Sequence, residues 1–229
     1  MTLLDGKRAV LLDMNSTFMF GEDRFGPDED YAATYRRLYG RCTAARVNAL
    51  IADAYAYLDR RYPDPAWRER FPTVAEALLA VAPGPLANPE LGRLVDTFAC
   101  YEVGHIPPDY AAALRRLARR YRLGAVVDIW APKRRWEQVF EDAGVGRLFP
   151  ATAFSSDSGV VKPSPRPFLD VMDALGVALA EALVVGDSVR RDLGGARAAG
   201  VDCVLVGDAR HDDALACFDT LLDFVATTA

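Results

Sequence analysis

The stretch VVGDSVRRDLGGARAAG, Val184–Gly200, holds three signals in a row. An apolar run stops at Gly186 and Asp187, a helical pattern opens with Asp192 near its start, and Gly200 closes that helix before a second apolar run, VDCVLVG. A buried strand, a short polar turn and a helix with glycine at its C-terminus make one βα unit of a parallel sheet. The same order repeats upstream, where LGAVVDI leads into KRRWEQVFEDAG and ATAFSS into PRPFLDVMDALG, and the strand of the opening stretch itself begins at ALVVGD. Helices ending at Gly144, Gly176 and Gly200, each followed by an apolar run, predict an α/β fold on a doubly wound parallel sheet. From Lys7, KRAVLLDMN reads as a further central strand, ending at Asp13.

Between that strand and Pro108 the pattern changes. PDEDYAATYRRLYG, TAARVNALIADAYAYLDRRY, FPTVAEALLAVAPG and NPELGRLVDTFACYEVG all have helical apolar spacing. Pro27 and Thr43 stand near predicted helix starts, Gly40 at a helix end, and prolines break the block at 63–65, 83–85 and 107–108. The predicted organisation is a core of residues 1–17 and 105–229 with a helical domain, 18–104, inserted after the first strand, because the sheet otherwise lacks that strand.

Composition narrows the function classes. The 229 residues are 51% hydrophobic and 26% charged, a globular balance in which only the terminal ATTA reads as disordered. Lys and Arg number 27 against 32 Asp and Glu, a net charge of −5, which argues against nucleic acid as the partner. The pairs Arg36-Arg37, Arg115-Arg116, Arg119-Arg120 and Arg190-Arg191 fall on helical patterns and read as solvated faces. No apolar run approaches the roughly 18 residues of a membrane span, and an acid, Asp5, interrupts the N-terminus before any leader-type region forms. Cys42, Cys100, Cys203 and Cys217 form no C-x-x-C pair, so reduced thiols and a cytoplasmic setting are expected. No G-x-S-x-G, Walker-type or complete G-x-G-x-x-G pattern occurs.

In an open parallel sheet, ligands bind at the carboxyl ends of the strands. Those ends carry Asp13, Asp128, the Ser155–Lys162 loop and Asp187. Read alone, Asp187 and Asp192 make a helix N-cap and a first-turn acid, and Lys162 an exposed loop lysine. Read together, the converging acids and lysine call for a hard cation such as Mg²⁺, which takes oxygen ligands.

Taken in order, these segments resemble the motifs of the haloacid dehalogenase superfamily in its phosphatase-like, magnesium-binding form. LLDMNST looks like the first motif with Asp13 at the nucleophile position, and YRLGAVVDIW stands in the place of the second. SSDSGVVKPSPRPF is similar to the third, with Lys162 as its lysine, and Val184–Gly200 resembles the fourth. The helical block stands where that superfamily carries its C1-type cap, so the resemblance covers essentially the whole chain. It implies attack of Asp13 on phosphorus, an aspartyl-phosphate, and hydrolysis by water. It further implies Mg²⁺ held by Asp13, the backbone carbonyl of Asn15 and Asp187, supported by Asp192, with Lys162 neutralising the nucleophile and the phosphoryl group. The substrate it implies is a small phosphorylated metabolite, acted on by a monomer or homodimer.

Two positions depart from the family pattern. Asn15 stands where phosphatases of the family place an aspartate that acts as general acid and base, and an amide has no proton to give near neutral pH. Val127, or Asp128 if the register shifts by one, stands where a hydroxyl usually donates to a phosphoryl oxygen. Three accounts stay open: a hydrolase whose acid is Glu22 or Asp23 of the GEDRFG flap, or Asp128; different chemistry on the same scaffold, such as dehalogenation; or a binding or regulatory protein without turnover. His105 reads as a structural hydrogen-bonding residue at the hinge, His211 as exposed, and Tyr31, Tyr35, Tyr39, Tyr55 and Tyr57 as mostly helix core, with one or two near a substrate pocket.

Overall fold

The computed structural model describes residues 3–228. Six parallel strands form one sheet: β1 (Ala9–Leu12), β2 (Arg122–Val127), β3 (Ala151–Phe154), β4 (Ala182–Gly186), β5 (Asp202–Leu205) and β6 (Ala216–Cys217), in the order β3-β2-β1-β4-β5-β6. The chain winds outward from β1 to β3, then returns to place β4 on the other side of β1. The switch in winding direction therefore lies between β1 and β4, where an open α/β sheet forms its ligand crevice. Leu12 pairs with Val185 there, and Asp13 N–H donates to the Val185 carbonyl at 2.9 Å.

The strands read as unbroken apolar runs because both faces are covered. Val10, Leu12, Leu123, Ala125, Val127, Leu183 and Val185 join one apolar cluster, while Ala9, Leu11, Val126, Ala182 and Val184 join the cluster on the opposite face. The second face is closed by α8 (Arg166–Leu175) and α9 (Gly194–Ala199), each ended by a left-handed glycine, Gly176 at φ 61° and Gly200 at φ 75°. The remaining helices of the sheet region are α5 (Pro108–Leu117), α6 (Arg134–Asp142), α7 (Ser155–Ser158) and α10 (Leu221–Ala226). β6 and α10 were not expected from the acidic C-terminal sequence. ATTA, expected to be disordered, is ordered as far as it is described. Ala226 ends α10, and the Thr227 and Thr228 hydroxyls donate to the Phe224 and Val225 carbonyls. Ala229, like Met1 and Thr2 at the start of the segment read for a leader, lies outside the described residues.

Between β1 and α5 stand α1 (Tyr31–Arg37), α2 (Ala44–Asp59), α3 (Val74–Val81) and α4 (Asn88–Glu102). Thr43 caps α2 by accepting from Arg46 N–H, and Thr73 with Glu76 forms a capping box on α3. Pro27 does not start a helix: α1 begins at Tyr31, and Pro27 stays in the preceding turn. The excursion leaves and returns through reciprocal backbone hydrogen bonds of 2.9 Å between Phe20 and His105. Phe18 stacks on Phe149 with ring centroids 5.7 Å apart. His105 is exposed and serves this hinge through its backbone. Of the tyrosines read as helix core, Tyr31 and Tyr35 are buried, Tyr55 and Tyr57 half-buried, and Tyr39 is 84% exposed. All four cysteines are unpaired, and among the described residues no helix is long and apolar enough to cross a membrane.

Candidate active site

Four strand ends meet at the crevice. Asp13 follows β1 and is 5% exposed; Asp128 follows β2; Lys162 lies in the loop after α7, 1% exposed; Asp187 follows β4. Lys162 is thus a buried ion, not a loop lysine in water. Its ammonium donates to Asp13 Oδ1 at 2.5 Å and to Asp192 Oδ1 at 2.7 Å. Burial works against that charge, but the carboxylates of Asp13 and Asp192 outweigh it and hold the lysine protonated.

Asp192 belongs to a single π-helical turn, Val189–Leu193, that precedes α9. A π turn pushes one residue out of helical register, and here it buries Asp192 completely. Its second oxygen accepts from Ser188 N–H at 3.0 Å. The carboxylate lies flat against Gly186: a Cβ at that glycine would sit 2.3 Å from Asp192 Cγ and 2.5 Å from its Oδ2. This explains the glycine at the end of β4.

The same turn corrects half of the reading of Arg190-Arg191 as a solvated pair: Arg190 is exposed, as expected, and Arg191 is not. Arg191 is only 25% exposed. It donates to Asp187 Oδ1 at 3.2 Å and to the Tyr62 hydroxyl at 3.3 Å. Tyr62, from the turn after α2, donates in turn to Asp128 Oδ2 at 2.6 Å, and Asp128 also accepts from Lys162 backbone N–H at 3.0 Å. Asp13, Lys162, Asp128, Tyr62, Arg191 and Asp187 are therefore linked into an almost closed ring, open only between Asp187 and Asp13. Ligand oxygens of Asp13, Asp187 and Asp192 lie within 4.8 Å of one another.

The charges of the ring do not balance. With Asp192, which Lys162 also binds, the four carboxylates of Asp13, Asp128, Asp187 and Asp192 face two cations, and three of them respond as uncompensated buried charges do. Burial and then the Asp13 carboxylate push Asp187 up to about 7; burial pushes Asp128 up to about 6 against the pull of Lys162; and burial raises Asp192. The excess is two negative charges, the donors are all oxygens, and Asn15 Oδ1 is buried without a hydrogen-bond partner. Those features fit a hard divalent cation such as Mg²⁺.

Val127 is 1% exposed within the apolar core, so the side chain that meets the crevice is Asp128. Glu22 and Asp23 sit on the segment between the first turn and α1. Glu22 accepts from the Ser16 hydroxyl at 3.1 Å. Asp23 is open to solvent, and no described residue donates a hydrogen bond to its carboxylate; its backbone carbonyl accepts from Phe25 N–H at 2.9 Å. Burial, then Glu22, pushes its carboxyl up to about 6, with Arg191 opposing.

Three participants escaped sequence reading. Arg191 carries a detectable signal, its i,i+4 spacing from Asp187. Tyr62, just before Pro63, carries none. Glu102, at the end of α4, accepts from the backbone N–H groups of Trp130 and Ala131 at 2.5 and 2.8 Å and ties the insertion to the loop after β2. His211 is exposed, as expected.

The family model for haloacid dehalogenase-like hydrolases matches residues 7–200. The chain belongs to that family. Among curated haloacid dehalogenase-like relatives, it is 34% identical over 107 residues to glyceraldehyde 3-phosphate phosphatase of Methanopyrus kandleri, covering 46% of this chain and 45% of that protein. It is 36% identical over 99 residues to phosphoserine phosphatase of Thermus thermophilus, covering 43% and 39%. Each match thus spans less than half of the relative's length. Two solved structures share the fold across nearly the whole chain. The 2-haloacid dehalogenase of Pseudomonas syringae has TM-score 0.63 and 20% identity over 97% of this chain and 98% of its own. The HAD phosphatase of Thermococcus onnurineus has TM-score 0.62 and 22% identity over the same shares.

Proposed function

We propose that this haloacid dehalogenase-like hydrolase is a Mg²⁺-dependent phosphatase of a small phosphorylated metabolite, working through Asp13. The observation that carries this reading is the pairing of Asp13 with a buried Lys162 beside Asp187 and Asp192, an array short of positive charge by two. Asp13, the backbone carbonyl of Asn15 and Asp187 would hold the cation, with Asp192 fixed behind them by Lys162 and Ser188. The cation supplies charge stabilisation for the phosphoryl oxygens. Partial matches to two phosphatases support phosphate chemistry over dehalogenation. Unpaired thiols accord with a cytoplasmic setting, and the four inserted helices act as a cap that selects the substrate.

In the chemistry we propose, an Asp13 oxygen attacks phosphorus, the bond to the leaving oxygen breaks, and that oxygen takes a proton from Asp23. Water then attacks the aspartyl-phosphate, gives its proton back to Asp23, and releases phosphate and free Asp13. Asp23 is preferred to the other acids because Asp128 already accepts from Tyr62 and Lys162, while Glu22 accepts from Ser16. Asn15 then needs only its backbone carbonyl. The test is phosphate release from a panel of sugar, nucleotide and small-acid phosphates with Mg²⁺. Asp13→Asn should abolish release, and Asp23→Asn should lower it about 10²- to 10⁴-fold, the usual share of general acid–base help. Release that survives Asp13→Asn would sink the reading, and full activity in Asp23→Asn would remove that residue from it.

A further inference from the structure

The edge of the sheet opposite the crevice gathers charge that catalysis does not use. In a parallel sheet every strand starts on the same edge, so the segments leading into β1, β2 and β3 meet there. They bring Lys7 and Arg8 just ahead of β1, Arg119 and Arg120 in the turn after α5, Arg122 at the first position of β2, and Arg147 in the turn before β3. These six side chains line one groove of about 520 Å³, and no acid among the described residues lines it with them. We propose that this groove binds a small ligand bearing linked phosphoryl groups, at a site separate from the Asp13 crevice.

Backbone pairing fixes the groove. Arg122 N–H donates to the Arg8 carbonyl at 2.9 Å, and Arg8 N–H to the Glu181 carbonyl at 2.7 Å, so the residues that open β1 and β2 stand side by side. Two of the six cations have carboxylate partners that do not line the groove: Lys7 Nζ donates to Asp202 at 2.8 Å, and the Arg8 guanidinium to Glu181 at 3.1 Å. Two more have only carbonyl partners, Arg120 on Thr228 at 2.6 Å and Arg122 on Leu175. Arg119 and Arg147 are exposed, and their side chains have no hydrogen-bond or ion-pair partner among the described residues. Six cations, less the two that Asp202 and Glu181 offset, leave a surplus of four.

An ordinary solvated face does not account for that surplus. The chain as a whole carries five excess negative charges, and cations confined to one concavity repel one another while focusing their field on an anion. The negative end of α5 offsets Arg119 and Arg120 at most. A surplus of about four positive charges matches roughly two or three linked phosphoryl groups, whereas a single carboxylate leaves most of it unmet. Each guanidinium has five N–H donors, and the contacts above use only part of them. The volume lies in the usual range of small-molecule sites. Tyr121, half-buried, is the one aromatic group among the described lining residues, so a nucleoside part of the ligand would meet it.

The test is titration calorimetry at low salt without Mg²⁺, which leaves the crevice short of a cation and hostile to anions. Tripolyphosphate, ATP and adenosine are titrated into the native protein, into Arg119→Glu/Arg147→Glu, and into Arg46→Glu/Arg134→Glu. The last pair makes the same change of charge at exposed arginines outside the groove, and thermal unfolding verifies that each variant is folded. Expected is saturable binding of one tripolyphosphate per native chain, weakening as salt rises. The affinity should fall at least about 10-fold in Arg119→Glu/Arg147→Glu and no more than about 2-fold in the control pair. ATP that binds like tripolyphosphate would show that phosphoryl groups suffice, and ATP that binds more tightly that Tyr121 also takes the base; both uphold the site. No saturable binding of either below about 1 mM, or weakening in the control pair equal to or greater than that in the groove pair, would overturn the inference. Binding of adenosine without binding of tripolyphosphate would overturn it too. The titration needs no turnover, so these outcomes stand whether or not Asp13 releases phosphate.

Discussion

Adding one methyl group to Gly186 should dismantle the site from behind. The new Cβ would lie 2.3 Å from Asp192 Cγ, 2.5 Å from Oδ2 and 2.6 Å from Cβ, and none of these is the free end of a flexible chain. Asp192 must rotate away, losing its bond to Lys162 at 2.7 Å and the one it accepts from Ser188 N–H at 3.0 Å. Hydrogen bonds to charged groups contribute about 1.5–3 kcal/mol each, so the loss is about 3–6 kcal/mol. If Asp192 instead stays and the backbone shifts, overpacking alone costs about 1–3 kcal/mol. Urea unfolding with linear extrapolation measures the difference. The double variant with Asp192→Ala identifies the cause: the contacts with Cγ and Oδ2 disappear and only the one with Cβ at 2.6 Å remains, so the combined loss should fall short of the sum by more than about 1 kcal/mol. Strict additivity, or Gly186→Ala within about 0.5 kcal/mol of native, would refute the packing argument.

Three further outcomes follow from the same charges. Lys162→Met leaves Asp13 and Asp192 buried and unpaired, and should cost about 3–5 kcal/mol in urea unfolding; native stability would contradict it. Asp23, Asp128, Asp187 and Glu102 are raised by burial to about 6, 6, 7 and 8, above the values they take when unfolded. The native state therefore binds more protons than the unfolded chain between about pH 4 and 8. Metal-free stability should accordingly fall as pH rises through that window, and Mg²⁺ should recover part of the loss near pH 7.5; a flat or rising profile would contradict this. At 100-fold above its dissociation constant, Mg²⁺ should stabilise the native protein by about 2.7 kcal/mol and Asp187→Asn by much less. Equal stabilisation of both would remove Asp187 from the cation site.

The sheet was readable because each βα unit repeats one local pattern: an apolar run, a polar turn, a helix closed by glycine. Asp13, Lys162 and Asp187 were readable for the same reason, since each sits at a strand end or in the loop beyond one. What escaped depends on contacts between segments distant in sequence. Tyr62 meets Asp128 across 66 residues of chain, and Glu102 reaches the backbone of Trp130 and Ala131 from the end of a helix. Neither position differs locally from an ordinary helix end. Arg191 was taken for a surface residue because a regular helix carries it outward; the π turn changes its direction, and nothing in VRRDL announces that turn. β6, two residues long, pairs at the sheet edge with β5 and has too few residues for periodicity to register.

The central claim is that Asp13 itself carries the phosphoryl group between the two half-reactions. Acid quenching during turnover of an aryl phosphate with Mg²⁺, followed by peptide mass spectrometry, addresses it directly. The account requires a phosphoryl adduct on the peptide bearing Asp13, labile to hydroxylamine as an acyl phosphate is, enriched in Asp23→Asn and missing in Asp13→Asn. Turnover that proceeds with no adduct on Asp13 in either the native protein or Asp23→Asn, or an adduct on another residue, would contradict it.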